Sequence, residues 1–399
     1  MGMKFSFLRH LLLPALLVSM IACSDKNSTL VNAGTGLLYV AAQSNTTISA
    51  YTVNLASGSL TAIANSIGTG SLPSAIAITP SVNALFVANS GGNSISSYAI
   101  NSDGSLTPAS ATTPTGTTPV ALAIDAAGKF LFVANQASSS VSVFTISGST
   151  LAAVAGSPFT TIPVGIVKYP DGTLPSGLAV SNSGKFLYVS NQLTNFVSAF
   201  SISSSGALAP LGNPFYVTGT GPTGLGIQPN GGFLYVTNSG ADANDISAFA
   251  ICDVIVTSCS NPDIADGSLT QITGSPFSAG LGPVAITFDP NFNFAYVVDK
   301  ESDTISQYGY GPGSGVLLPL SPATISTGLN PVSIALRPGA TGTDLGNTLT
   351  NPTDYVYVAN IGAGTNTISI FTLNTTSGQL TVLGTSITTF AQTSAVAVK

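Results

Sequence analysis

The sequence predicts an all-β fold: a seven-bladed β-propeller with four antiparallel strands per blade, closed by a C-terminal strand that joins the first blade. Three observations carry that expectation. The pattern PSAIAI at 73–78 returns as PVALAI, PSGLAV, PTGLGI, PVAITF and PVSIAL at 119, 175, 222, 283 and 331, and a last time, without its proline, as TSAVAV at 393–398. A second pattern runs in step with it, its central valine falling at Val40, Val87, Val133, Val189, Val236, Val297 and Val358. The two series are offset at the ends, because the chain opens on the second pattern and finishes on the first.

Each pattern reads as one strand. In PSAIAI and its copies small and large residues alternate, the period of a strand whose successive side chains point to opposite faces. Both faces are apolar, so both must be buried, and sheets stacked around a ring achieve this with the large face of one against the small face of the next, about 10 Å apart. That is an inner strand. LLYVAA at 37–42 and its copies LFVAN, LYVSN, LYVTN, AYVVD and VYVAN form the second strand, and TISAYTV at 47–53 begins the series of third strands. Glycine then turns the chain into the fourth, as in GSLT at 58, 104 and 267 and GQLT at 378. Four antiparallel strands make a blade. No blade can bury its own faces, so 37–399 is one repeat domain and not the two or three that its length suggests. The strand at 393–398 completes the blade begun by 37–63 and removes the edge that an open ring would expose.

Residues 1–22 read as a targeting segment, with Lys4, Arg9 and His10 ahead of an apolar run too short to span a bilayer. The run ends in Met20-Ile21-Ala22-Cys23, which resembles the lipobox of bacterial lipoproteins. Cys23 is therefore expected to carry lipid and to begin the mature chain; the alternative is an ordinary cleaved signal with Cys23 incidental. Residues 23–36 are polar and without period, the composition of a tether. By resemblance to Gram-negative lipoproteins, Ser24 behind the cysteine points to the outer membrane, which makes the membrane a partner through the anchor.

Losing 1–22 changes the available chemistry. The only histidine, His10, leaves with it, and the nine basic residues fall to seven against fifteen acidic ones. Nucleic acid requires the opposite sign and is excluded as a partner. The commonest general base and the commonest zinc or haem ligand are gone as well. Besides Cys23 two cysteines remain, Cys252 and Cys259, and in an exported protein this spacing reads as a local disulfide contributing about 2.5 kcal/mol through chain entropy.

The repeat carries a family resemblance. Tyr235-Val-Thr-Asn238 is the signature of one group of bacterial propeller repeats. Together with the GKFLF and GKFLY turns at Gly128 and Gly184 and the GSPF segments at Gly156 and Gly274, it resembles the seven-bladed lactonase-like propellers, among them phosphogluconolactonase and carboxymuconate cyclase relatives. The resemblance covers 36–399 and implies the fold. Its enzymes rely on His, Glu and Arg side chains, whereas here the mature chain has no His, one Glu (Glu301) and one Arg (Arg337). Haem-binding propellers of similar repeat need histidine too.

Function is expected where a repeat departs from its siblings. Three insertions do so: 160–174 on one face of the disc, 252–266 and 338–354 on the other. Two acidic loops also do so, Asp242 with Asp245 in the fifth blade and Asp299, Glu301 and Asp303 in the sixth. Alternating carboxylates have the spacing of the first calcium ligands of a calcium loop, although the glycine and later glutamate of an EF-hand are absent; solvated turns are the other reading. The asparagines that end five second strands, Asn89, Asn135, Asn191, Asn238 and Asn360, either line the channel mouth or cap turns by bonding their own backbone. Lys129 and Lys185 sit in tight turns and read as solvated. The expected function is a binding or interaction module of the cell envelope, without its own catalytic site, taking a protein or carbohydrate ligand. The alternative is a lactonase-like hydrolase of the phosphogluconolactonase type, assisted by carboxylate, Lys168, Lys300, Arg337 or a bound metal.

Overall fold

Seven antiparallel sheets make up the chain, and their hydrogen-bonding order repeats without exception: inner strand, second, third, outer. The computed structural model describes residues 35–63, 66–109, 111–162, 172–253, 266–289, 293–311, 313–337, 354–362, 366–384, 386–389 and 392–399. Cys23 and the segments before it, Lys168, Cys259 and most of the three insertions lie outside the described residues. Inner strands run Pro73–Ile78, Pro119–Ile124, Pro175–Val180, Pro222–Ile227, Pro283–Phe288 and Pro331–Arg337. The seventh inner strand is Thr393–Val398, and it pairs with Thr35–Ala42, the second strand of the first blade. Closure therefore occurs as the offset of the two patterns requires, and the first strand takes in Thr35 and Gly36, two residues that the sequence pattern assigns to the tether.

Inner strands open on a bulge. Pro73 lies opposite Asn89, but Ala75 opposite Ala88, and the same slip follows Pro119, Pro175, Pro283 and Pro331. The extra residue turns toward the neighbouring inner strand: Ser74 Oγ donates to Pro119 O at 2.7 Å, Ser176 Oγ to Pro222 O at 2.7 Å, and Thr223 Oγ1 to Pro283 O at 2.9 Å. Beyond the bulge the alternation holds. The core divides into seven apolar seams, one between each pair of neighbouring blades. In the seam between the third and fourth blades, for instance, Ala121 and Ala123 of one inner strand meet Leu178 and Val180 of the next, small face against large.

Outer strands are less regular than four strands per blade suggests. In five blades the outer strand breaks in two, as in Thr150–Ala153 and Phe159–Thr160, and it is continuous only as Leu208–Val217 and Leu317–Ser326. The GSPF motif occupies two such breaks. Its serine accepts the third-strand N–H that the broken ladder leaves over, Ser157 Oγ from Val143 N and Ser275 Oγ from Ala248 N, both at 2.9 Å.

A recurrent latch joins successive blades on the hairpin face, where the first-to-second and third-to-fourth hairpins lie. The second-strand tyrosine donates its hydroxyl to the hairpin glycine carbonyl of the following blade: Tyr39 to Gly104, Tyr188 to Gly267 and Tyr235 to Gly315 at 2.8 Å, Tyr296 to Gly378 at 2.6 Å, and Tyr357 to Gly58 at 3.2 Å. Phe86 and Phe132 hold this place in the second and third blades. Gly378 has a left-handed φ of 73°, and a Cβ there would overlap the Phe294 ring. Gly378→Ala is accordingly expected to cost about 3 kcal/mol, backbone strain and overlap together. Gly148 has φ of 57° but open space around it, so Gly148→Ala should lose only the backbone part, about 1 kcal/mol. Thermal melts of the two variants check this, and equal losses would show that the ring contact carries nothing.

Candidate functional site at the link face

The face opposite the hairpins carries the second-to-third-strand loops and the links that lead from each outer strand into the next inner strand. The two acidic loops and the ring of strand-terminal asparagines all belong to it. Asn89, Asn135, Asn191, Asn238 and Asn360 are fully buried, so they do not line the channel mouth; two of them bond local backbone across the turn, Asn191 Nδ2 donating to Val189 O and Phe196 O and Asn360 Nδ2 to Val358 O and Thr367 O at 3.1 to 3.3 Å. Each donates through Nδ2 to a third-strand serine, Ser96, Ser142, Ser198, Ser247 or Ser369, at 2.9 to 3.0 Å. The link passes over this bond, and in the second, third and fifth blades the same serine accepts its glycine N–H, from Gly70, Gly116 and Gly219. A Cβ at any of these glycines would stand under 3 Å from the asparagine amide, which is why the link has glycine there. The asparagine thus pins the link to the third strand, an order of contacts that no local pattern reveals.

Asp299 is the sixth blade's version of that asparagine. It is 0% exposed, and its Oδ2 accepts from Ser306 Oγ at 2.7 Å and Thr304 Oγ1 at 3.2 Å, reversing the donor direction seen in the other blades. Thr69 and Thr327 donate to the amide oxygens of Asn89 and Asn360 at 2.9 and 3.0 Å, but the matching link residue in the sixth blade is Ala279. Oδ1 is left without a hydrogen-bond partner. Burial pushes the Asp299 carboxyl up to about 6, against the opposing pull of the Ser306 and Thr304 hydroxyls.

Asp303 has a second structural task. Among the described residues, the one immediately before the third strand is left-handed in six blades, with φ between 38° and 57°: Thr46, Asn93, Ser139, Asn195, Asn244 and Asp303. In five of them the side chain accepts a backbone N–H from the link of the next blade. Asn93 takes Thr118 N, Ser139 takes Thr173 N, Asn195 takes Gly221 N, Asn244 takes Gly282 N and Asp303 takes Asn330 N, at 2.6 to 3.0 Å. These caps were not anticipated from the sequence, although the Asx or Ser recurring just before each third strand is a readable signal. Asp245 accepts from Asn238 Nδ2 at 2.6 Å and has its pKa raised by burial, the hydrogen bond from Asn238 opposing.

The calcium reading is corrected by these contacts. Asp299 is sealed under its link and Asp303 caps the neighbouring blade, so the five carboxylates do not converge; among the described residues no three His, Cys, Asp or Glu side chains are placed to share a metal. Asp242 and Glu301 alone of the five are well exposed. Glu301 leans over Gly282, where the link meets the sixth inner strand. Leu72, Leu193, Leu281 and Leu329 are also exposed on this face. Of the cations, Lys300 lies beside Glu301, whereas Arg337 is on the hairpin face, its Nε donating to Lys399 O at 3.0 Å. Lys129 is not simply solvated: its Nζ donates to Ser204 O at 2.7 Å and stands 4.6 Å from the Phe130 ring centre. Cys252 directly follows the third strand Asp245–Ile251, with its N–H on Ser268 O at 2.9 Å; its expected partner Cys259 lies outside the described residues.

Comparison with known proteins follows the architecture. The sequence matches the family model "Lactonase, 7-bladed beta-propeller" over 65–155, 156–254 and 258–392. No curated protein matches it. Among solved structures, a candidate 6-phosphogluconolactonase of Bacteroides uniformis is similar with a TM-score of 0.72 at 18% identity, over 92% of this chain and 100% of the other. The periplasmic gluconolactonase PpgL of Pseudomonas aeruginosa is similar with a TM-score of 0.70 at 20% identity, over 91% of this chain and 98% of the other. At such identities the likeness speaks for the fold alone.

Proposed function

The chain belongs to the lactonase family of seven-bladed β-propellers, and from that premise we propose a lactonase-like hydrolase that opens a sugar lactone. The match of the family model along nearly the whole ring is the observation that carries the reading. In such a reaction water adds to the ester carbonyl carbon, the ring C–O bond breaks, and the proton given up by the water ends on the departing ring oxygen. A base near the attacking water is required. Glu301 is the carboxylate best placed for it, being exposed where the link meets the sixth inner strand and free of the capping duties of Asp303 and the burial of Asp299.

Hydrolysis of glucono-lactones by the purified domain, followed by acid release, tests this reading. Glu301→Gln should lower kcat by about 100-fold or more with the melting temperature unchanged. Turnover untouched by Glu301→Gln would remove the residue from the mechanism, and no turnover on a broad lactone panel would remove the activity. A second reading has its own support: Asp299, Asp303 and Asp245 all serve the scaffold, while four leucines stand exposed on the link face. It is a module that binds a carbohydrate or protein ligand there without altering it. In either reading Cys23 carries the lipid that holds the chain on the bacterial envelope, at the outer membrane, and Cys252 pairs with Cys259.

A further inference from the structure

We propose that the hairpin face lies against the membrane and that the link face, with the candidate site, opens away from it. This rests on lipidation of Cys23 and goes beyond it by assigning the surface that meets the lipid. Strand polarity supplies the first argument. Thr35–Ala42 begins on the hairpin face and ends at the second-to-third-strand loop on the link face, and Leu37 is tied at its start to Lys399 by N–H···O bonds of 2.8 Å in both directions. The chain that comes from Cys23 therefore joins the disc on its hairpin face.

Reach supplies the second. Eleven residues lie between Cys23 and Thr35, twelve steps along the chain, and even fully straight those steps span about 40 Å. To bring the link face down, that segment must pass outward beyond the third and outer strands, about 10 Å, and then along an eight-residue strand's height, about 27 Å. That detour takes nearly the whole length and leaves the segment almost no slack. With the hairpin face down no such detour arises. Among the described residues, exposed charges lean the same way: Lys129 and Lys185 against Asp103 on the hairpin face, Asp242 and Glu301 on the link face. An anionic leaflet attracts the first pair and repels the second.

The chain contains no tryptophan, so a single introduced one reports its own surroundings. Ala127 and Ala137 are both exposed, in the third blade, on the hairpin and link faces respectively. Full-length lipidated Ala127→Trp and Ala137→Trp are placed on phosphatidylcholine–phosphatidylglycerol vesicles containing a headgroup-linked dansyl acceptor. Energy transfer to the acceptor is expected to be strong from Ala127→Trp and lost from Ala137→Trp. Equal transfer, or the reverse order, from protein that floats with the vesicles overturns the orientation alone. Protein that floats equally well after Cys23→Ala, or that does not float at all, overturns the anchor and the inference with it, and leaves the lactone assay as an independent measurement.

Discussion

Deleting 393–399 is expected to abolish cooperative folding. One strand serves two seams: Ala395 and Ala397 pack into the seam between the first and second blades, Val396 and Val398 into the seam between the seventh and the first. All four are buried. Each buried valine contributes about 1.5–3 kcal/mol. Beyond that, Leu38 to Ala42 lose their ladder, and both seams lose a wall. The sum is comparable with the whole 5–15 kcal/mol margin of a typical domain. Removing the strand also bares the edge of Thr35–Ala42, a template for pairing with another chain. Calorimetry and sedimentation should find no sharp transition and a self-associating species. A soluble monomer with an unchanged melting temperature would contradict closure by this strand.

Asp299→Asn is expected to stabilise the protein at neutral pH and to do almost nothing in acid. The unfolded carboxyl ionises at its ordinary value of 3.8, whereas the folded one holds its proton up to about 6. Between those values the folded state binds more protons, so stability falls as pH rises through the window and stays lower above it. At 1.36 kcal/mol per unit the loss reaches about 3 kcal/mol. Asparagine fits the place, since it already fills it in five blades with the same serine as partner, and Asn135, Asn191 and Asn238 likewise leave their amide oxygens without a partner. Melting temperatures of the two proteins should coincide near pH 4 and separate above pH 6, with the variant higher. A variant that melts lower at pH 7.5, or a parent whose stability is flat from pH 4 to 6, would refute the buried acid as a cost.

The ring was legible because its information is periodic. Alternating small and large residues after each proline predict a strand buried on both faces, and the seam of Ala121 and Ala123 against Leu178 and Val180 is that prediction realised. Even the bulged residue repeats in step, yet its direction could not be read, because a serine at 74 does not reveal that its acceptor is Pro119, 45 residues on. The calcium-like spacing of the acidic loops misleads for the same reason. Asp-x-Glu-x-Asp is a local spacing, while the contacts that decide its meaning come from Ser306 in the next strand and from Asn330 in the next blade. Comparison of the seven repeats with one another would have placed Asp299 in register with five asparagines; the absence of the link hydroxyl at Ala279 becomes meaningful only once the fold brings the two together.

The caps and latches that join neighbouring blades all point one way along the chain. Asn93 receives the link of the third blade, Tyr235 the hairpin of the sixth, and in each case the earlier blade presents the group on which the later one docks. Synthesis runs in the same direction, so every new blade meets a finished template and the ring is assembled vectorially, as a zipper drawn from the first blade to the seventh. One contact is out of order: Gly58 in the first blade waits for the Tyr357 hydroxyl, 299 residues later. The first hairpin is thus secured only once the seventh blade is made, and its inner strand, 393–398, comes later still; for as long as the chain is being made the first blade is the ring's unfinished end.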